Sequence, residues 1–413
     1  MWTHVRRFSL PFPCSARSRM AVAAIGVAAV GAVGAGAVGV ACAVYDKSLL
    51  EPLPAVVEAG GADAAPEASA EPDGGCVLAT APPKPNVPDG PDVAPFVLAV
   101  DSLRLDDDPT VDAGGAPVPV GLDLDGVCTC PGPESCTPPS QVSSTAQKAR
   151  CDGDGGRDNA GGRLFATFAG LSPTFQATRL RDSIRRGGAT ILLAVRRYNG
   201  TADDPSVTVS AFLSPGIEDL RADGGAAVPR FDGTDRWTVS PTSLIGGETL
   251  VGADCDTNPS CLPLYADRDA YVSQGTLVAR LDFPVGVTEG FVLLIQSATV
   301  YGTLGGSGPT ATLTKAQAVG RVSTQGILTG LGTLEDPFSS SYMCKNNPTY
   351  QNVKKTICAA ADVAADPRAD RTPAACNALA AAVGFSASPA HLGVVFAPKP
   401  KSTECDGWTD QCP

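Results

Sequence analysis

Histidine is almost missing from this chain, with two in 413 residues, His4 and His391. A Ser-His-Asp triad or a histidine-based zinc site would have to rest on His391 alone, in the turn-like stretch SPAHLG. Aromatic residues make up only 6%, which leaves Trp237, Tyr198, Tyr265, Tyr271 and Trp408 as the few rings that could serve as a sugar platform. Also lacking are H-E-x-x-H, G-x-S-x-G, a P-loop, and G-x-G-x-x-G between a strand and a helix. Basic residues are outnumbered 31 to 43, for a net charge of −12. That surface repels a phosphate backbone and excludes nucleic acid as a partner.

What the chain has in quantity is glycine (45), proline (36) and cysteine (14). Turns are therefore frequent and long helices few. Residues 1–41 read as a signal segment: Arg6, Arg7, Arg17 and Arg19 precede an uncharged run from Met20 to Tyr45. The run is rich in Ala, Gly and Val, which insert weakly into a bilayer, so a processed signal is expected over a permanent span. Gly39-Val40-Ala41-Cys42 is similar to a bacterial lipobox, which makes Cys42 the candidate lipidation site, and ordinary cleavage near Ala41 is the alternative. The expected location is the cell envelope, lipid-anchored to the outer membrane before the inner, or else periplasmic or secreted. Residues 42–95 are rich in Ala, Pro, Gly and Glu and read as a disordered tether with a reach of roughly 35–40 Å.

Setting aside Cys14 and Cys42 leaves twelve cysteines, an even set that predicts a disulfide framework in an oxidising compartment. The expected pairs are Cys255–Cys261, Cys358–Cys376 and Cys405–Cys412. Cys76, Cys128, Cys130, Cys136, Cys151 and Cys344 pair in an order that spacing does not decide.

From Phe96 onward the apolar residues come in strand-length runs. Phe96–Asp106, Ala189–Gly200, Pro205–Pro215, Asp235–Ser240, Thr276–Val285, Phe291–Leu304 and Thr310–Thr324 are each bounded by turn residues. With no comparable helical periodicity between them, the fold class expected for residues 96–336 is mainly β, an antiparallel β-sandwich or jelly roll. One short helix is expected at Gln176–Arg186; its four arginines form either an anion patch or a solvated face. Residues 337–413 should form a cysteine-rich helical segment, a disulfide-linked hairpin. Its first helix is capped by Asn347 with Pro348 following, and its second starts at Thr372-Pro373 and runs through Leu379 and Val383.

The densest chemistry lies in the Cys/Asp-rich loop 121–165. Asp123 and Asp125 sit in one Asp-Gly cluster, and Asp152, Asp154 and Asp158 in another. Acids at alternate positions of a Gly-rich turn supply the oxygens that calcium takes, although position five of the second cluster is Gly156 and no Glu closes the loop. The alternative is Asx-turn chemistry without metal.

Five stretches carry a resemblance: GLDLDGVCTC, CDGDGGRDNAGG, VRRYNGTADDPSVTVSAFLSPG, GRVSTQGILTGLG and CKNNPTYQNVKKTICAAADVAADP. Together they resemble predicted lipoproteins abundant in myxobacterial genomes, a group to which no activity is attached. The resemblance implies an envelope location and transfers no functional residue. The expected function is a non-catalytic binding or structural lipoprotein, with a cell-surface polysaccharide or envelope protein as partner beside the membrane itself. The alternative is a secreted glycosidase-like hydrolase, which needs only two carboxylates at about 5–10 Å.

Overall fold

The computed structural model describes residues 78–105, 110–111, 117–130, 132–139, 144–171, 177–219, 227–288, 291–339, 341–397, 405 and 409–413. The signal segment, Cys42, Cys76 and Trp408 lie outside them. No helix among the described residues is long and apolar enough to cross a membrane.

Strand β1 (Phe96–Arg104) is followed by a two-residue ladder, β2 (Thr110–Val111) and β3 (Pro117–Val118), and by helices α1 (Ser144–Arg150), α2 (Ala160–Leu171) and α3 (Ala177–Arg185). Then come β4 (Thr190–Arg196), β5 (Asp204–Ser214), β6 (Arg236–Val239), β7 (Tyr265–Ser273), β8 (Thr276–Thr288), β9 (Phe291–Gly305) and β10 (Thr312–Ser323). Helices α4 (Thr324–Leu331) and α5 (Pro348–Ala359) precede the last strand, β11 (Ala378–Val395).

The strands join in one nine-stranded mixed sheet that closes on itself. Strand β1 pairs antiparallel with β4 through Phe96–Ala99 and with β11 through Val97–Arg104. Eight strands thus form an antiparallel ring in the order β1-β4-β5-β7-β8-β9-β10-β11, and β6 adds parallel to the end of β11. This replaces the two facing sheets of the expected sandwich. Closure pairs most of the strand edges that an open sheet would expose, and at eight strands the interior is just wide enough for side chains to fill.

Alternation decides what fills it. Leu98 and Val100 on β1, Leu277, Ala279, Phe283 and Val285 on β8, and Leu379, Ala381, Val383 and Phe385 on β11 face one core, to which α2 adds Leu164, Phe165 and Phe168. Phe283 and Phe385 stack across it with centroids 5.6 Å apart. On one side the outer face is buried as well. The insertion between β5 and β7 packs Trp237, Val239 and Leu244 over Ala99, Leu192, Ala194 and Phe212. Burial on both faces is why TILLAVR reads as a continuous apolar run and not an alternating one.

The C-terminal part departs most from expectation. Helix α5 forms as its cap foretold: Asn347 accepts from the Tyr350 amide at 3.1 Å, and Tyr350 and Ile357 are fully buried. The second helix of the hairpin does not form, and its residues enter β11. Alanine favours helix, but the preference is a few tenths of a kcal/mol per residue, and burial of Ala378–Phe385 between β10 and the loops above it outweighs that. Within residues 337–413, Ala378–Val395 is therefore a strand of the barrel and not the second helix of a hairpin.

The disulfides follow from this. Cys376 sits at the entry to β11 and bonds Cys136; Cys358 on α5 bonds Cys412; Cys344 bonds Cys405. The expected Cys358–Cys376 and Cys405–Cys412 pairs are thus corrected, while Cys255–Cys261 stands. Cys130 bonds Cys151, and Cys128 is disulfide-bonded too.

The tether also ends earlier than expected. Residues 78–95 lie along the barrel as an extended strap, with the Ala79 amide donating to Gly155 O (2.8 Å) and the Val93 amide to Tyr198 O (2.7 Å). Its prolines pre-set an extended chain, so ordering it costs little entropy. The loop 121–165 is likewise part helix, in α1 and the start of α2.

One side chain ties these layers together. Arg321 on β10 is 2% exposed and forks onto Asp370 (2.8 and 2.6 Å), while also donating to Ala364 O (2.6 Å) and Leu124 O (2.8 Å). Arg321→Ala leaves Asp370 without its partner and should cost about 3–5 kcal/mol. The check is a urea midpoint shift at unchanged slope, with Arg321→Lys recovering only part because an ammonium cannot fork.

Candidate functional site

The two Asp-Gly clusters meet on the outer face of β10 and β11. Leu122 bridges Asp158 antiparallel, with the Asp158 amide donating to Leu122 O at 3.0 Å, and Leu122 packs on Val319 and Ala382. Gln317 on β10 accepts from the Gly121 amide (2.9 Å) and donates to Pro119 O (2.8 Å), so the barrel wall sets where the loop begins. On the second loop, Asn159 accepts from the Gly162 amide (3.1 Å), capping α2, and from the Ala382 amide of β11 (2.9 Å). Both loops are thus registered against the same two strands.

Asx turns order the first loop: Asp123 accepts from the Gly126 amide (2.7 Å) and Asp125 from the Val127 amide (3.0 Å). Gly126 has φ +74, and a Cβ there would lie 1.8 Å from the Arg371 guanidinium, so only glycine lets that side chain cross the loop. Arg371 donates to Asp125 O at 3.1 Å. Across the gap, Asp158 accepts from the Leu124 amide (2.6 Å) and Asp152 from the Thr129 amide (2.5 Å).

The outcome is a knot of carboxylates. One oxygen each from Asp123, Asp125 and Asp158 lies within 4.8 Å of the others. Asp125 and Asp158 are 6% and 2% exposed. Asp152 lies close enough to add its charge to the surroundings of Asp158. Asp154 does not join them; it is exposed at the tip of the turn closed by Gly153 and Arg157. A fifth member comes from far along the chain: Asp362, 5% exposed, accepts from the Ala380 amide of β11 at 2.8 Å and repels Asp158. Nothing in AAADVAADP marks that Asp, because its role depends on where the end of α5 lies against β11.

Burial and mutual repulsion favour protons on Asp123, Asp152, Asp158 and Asp362. Burial, reinforced by Asp125, Asp362 and Asp152, pushes Asp158 to about 10. Burial pushes Asp152 to about 6, and it raises Asp362 well above the ordinary range and Asp123 more modestly. The donor set is all oxygen, which suits a hard divalent cation, and such an ion would take the place of the protons.

Elsewhere the sequence candidates scatter. His391 is half exposed at the end of β11, with Nδ1 3.9 Å from Asp256. Trp237, Tyr198 and Tyr271 are buried, so they form no open platform. Arg179 and Arg185 lie on the solvated face of α3, and Arg186 is exposed just past its end. No protein family, curated protein or solved structure matches this chain. What fold and site define is a class only: a disulfide-stapled antiparallel barrel carrying a buried acidic knot on its wall.

The protons give the metal-free protein a particular pH response. Between the ordinary carboxylate range near pH 4 and the raised values, the folded state holds protons that the unfolded chain has released. Stability is then fully present below about pH 4 and falls as pH rises through about 6 and on toward 10. In chelator, the Tm should be higher at pH 5 than at pH 8, and Asp158→Asn, which mimics the neutral acid, should flatten that slope.

Proposed function

We propose that this chain is an exported, non-catalytic binding or structural module, displayed at the cell envelope from a lipidated Cys42, with Asp123, Asp125 and Asp158 holding a calcium ion against the barrel wall. The outer membrane is the favoured site of anchoring. A cell-surface polysaccharide or an envelope protein is the expected partner. The observation that carries the calcium reading is the convergence of three carboxylates from two loops onto one point, each loop registered by β10 and β11. Five disulfides joining described residues support an oxidising compartment.

Calcium at this point would bind oxygens only, and its charge would offset the burial and repulsion that otherwise keep Asp158 protonated. Its work would be structural. Asp123 donates its amide to Ala79 O at 2.9 Å, so the metal loop also holds the start of the strap that leads back to residue 42. The hydrolase reading is less well served. A general acid must reach a glycosidic oxygen, and the near-complete burial of Asp125 and Asp158 leaves no path for a sugar to reach them.

Two experiments test the proposal. Calcium at about 100 times its dissociation constant should raise the Tm by about 5 °C, and Asp125→Asn should abolish the shift. An unchanged melting curve in calcium and in chelator removes the metal from the account. Metabolic labelling with a fatty-acid analogue should mark the protein and disappear in Cys42→Ala; label that persists in the variant, or never appears, removes the anchor.

A further inference from the structure

We propose that the groove between the strap and the seam of β7 and β8 binds a carboxylate-bearing sugar ring, with Arg280 holding the carboxylate. This goes beyond the calcium reading and uses none of its carboxylates.

Strands β7 and β8 pair only at Tyr271–Ser273 with Thr276–Val278. Past that hairpin they part, and the Asp267 side chain fills the break by accepting from the amides of Asp269 (2.8 Å) and Arg280 (2.7 Å). The strap crosses above. Pro82 O accepts from the Tyr271 hydroxyl at 2.5 Å, and Lys84 pairs with Asp269 at 2.6 Å. Between strap and seam is a cavity of about 220 Å³, with Pro82, Pro83, Tyr271 and Val278 among its lining. Sites that enclose a drug-sized ligand run to about 300–1,000 Å³, so this one has room for a single ring.

The charges lining it are spoken for, with one exception. Both Asp267 oxygens are held by backbone amides, and Asp269 and Lys84 hold each other. The Arg280 side chain is exposed and makes no hydrogen bond or ion pair among the described residues; its charge acts on Asp269 and Tyr271 only at longer range. A guanidinium fork with no ion-pair partner beside two accessible prolines is what a uronic-acid type ring asks for: the fork takes the carboxylate in two parallel hydrogen bonds, and the C–H faces lie on Pro82 and Pro83. A phosphate, with up to two charges, would meet Asp267 and Asp269 and be repelled; a single carboxylate meets less of that field.

The test is calorimetric titration of the purified, disulfide-intact protein in calcium, with galacturonic acid, tri-galacturonic acid and neutral galactose. The acidic sugars should bind and galactose should not. Arg280→Ala should weaken the acidic sugars about tenfold or more, the worth of a charged hydrogen bond. Arg197→Ala, at an exposed arginine near Asp89, should leave them unchanged. A trimer that binds more tightly than the monomer assigns the site to a residue of a polysaccharide, and equal affinity assigns it to a free sugar acid. No heat from either acid, equal binding of galactose, or undiminished binding by Arg280→Ala overturns the proposal.

Discussion

A strand that closes a barrel must find partners for its backbone on both edges along its whole length, and β11 is 18 residues long. Its first half pairs with β10 through Ser323–Ala378 to Ala316–Phe385, but β1 begins to cover the other edge only at Gly384. Over residues 378–383 that second edge is met by side chains and loop backbone. Asp362 takes the Ala380 amide, Asn159 takes the Ala382 amide, and Val363 bridges Ala378. The acidic knot is thus built where the ring needs acceptors, and here a carboxylate and an amide oxygen supply them.

That requirement creates the electrostatic problem of this face. Several carboxylates gathered under loops repel one another in a low-dielectric setting, and each ionised one loses solvation. The chain answers with fixed positive groups at the rim: Arg371 over Asp125 and Gly126, and Arg321 forked onto Asp370 while reaching Leu124 O. Protons, or a divalent ion in their place, balance the rest. The same contacts join distant parts of the chain, because Arg321, Asp362 and the Cys136–Cys376 bridge all link residues 121–158 to the C-terminal end.

Much of the barrel was legible. Seven runs bounded by Gly, Pro, Asn or Asp became strands because β-branched residues in alternation have one good place to go, a pleated half-buried surface. The hairpin at Gln274-Gly275 and strand β7 before it were missed, since YADRDAYVS is polar along its first half and has an apolar period only at the end. The cap of α5 was legible for a local reason: Asn347-Pro348 satisfies an orphan amide and pre-sets the first turn within four residues. Helix α2 was not, because AGGRLFATFAGL opens with two glycines that a local reading assigns to a turn. Gly161 is there so that the helix can approach β11, where a Cβ would come within 3.0 Å of Ala380 O and Ala381 Cβ.

Composition and local spacing determined by themselves that the chain is acidic, turn-rich, mainly β and bridged by disulfides. They also placed Asp123, Asp125, Asp152 and Asp158 among the candidates, because Asp-Gly chemistry is local. Tertiary structure alone decided that the strands close into a ring, that an alanine-rich segment is a strand, which cysteines meet, that Asp154 stands apart and that Asp362 joins. Each of these depends on backbone edges and buried faces supplied by distant residues, 240 positions away in the Cys136–Cys376 bridge and farther still where β1 meets β11. Propensity over a few neighbours carries no information about a partner at that separation, and burial against that partner outweighs it.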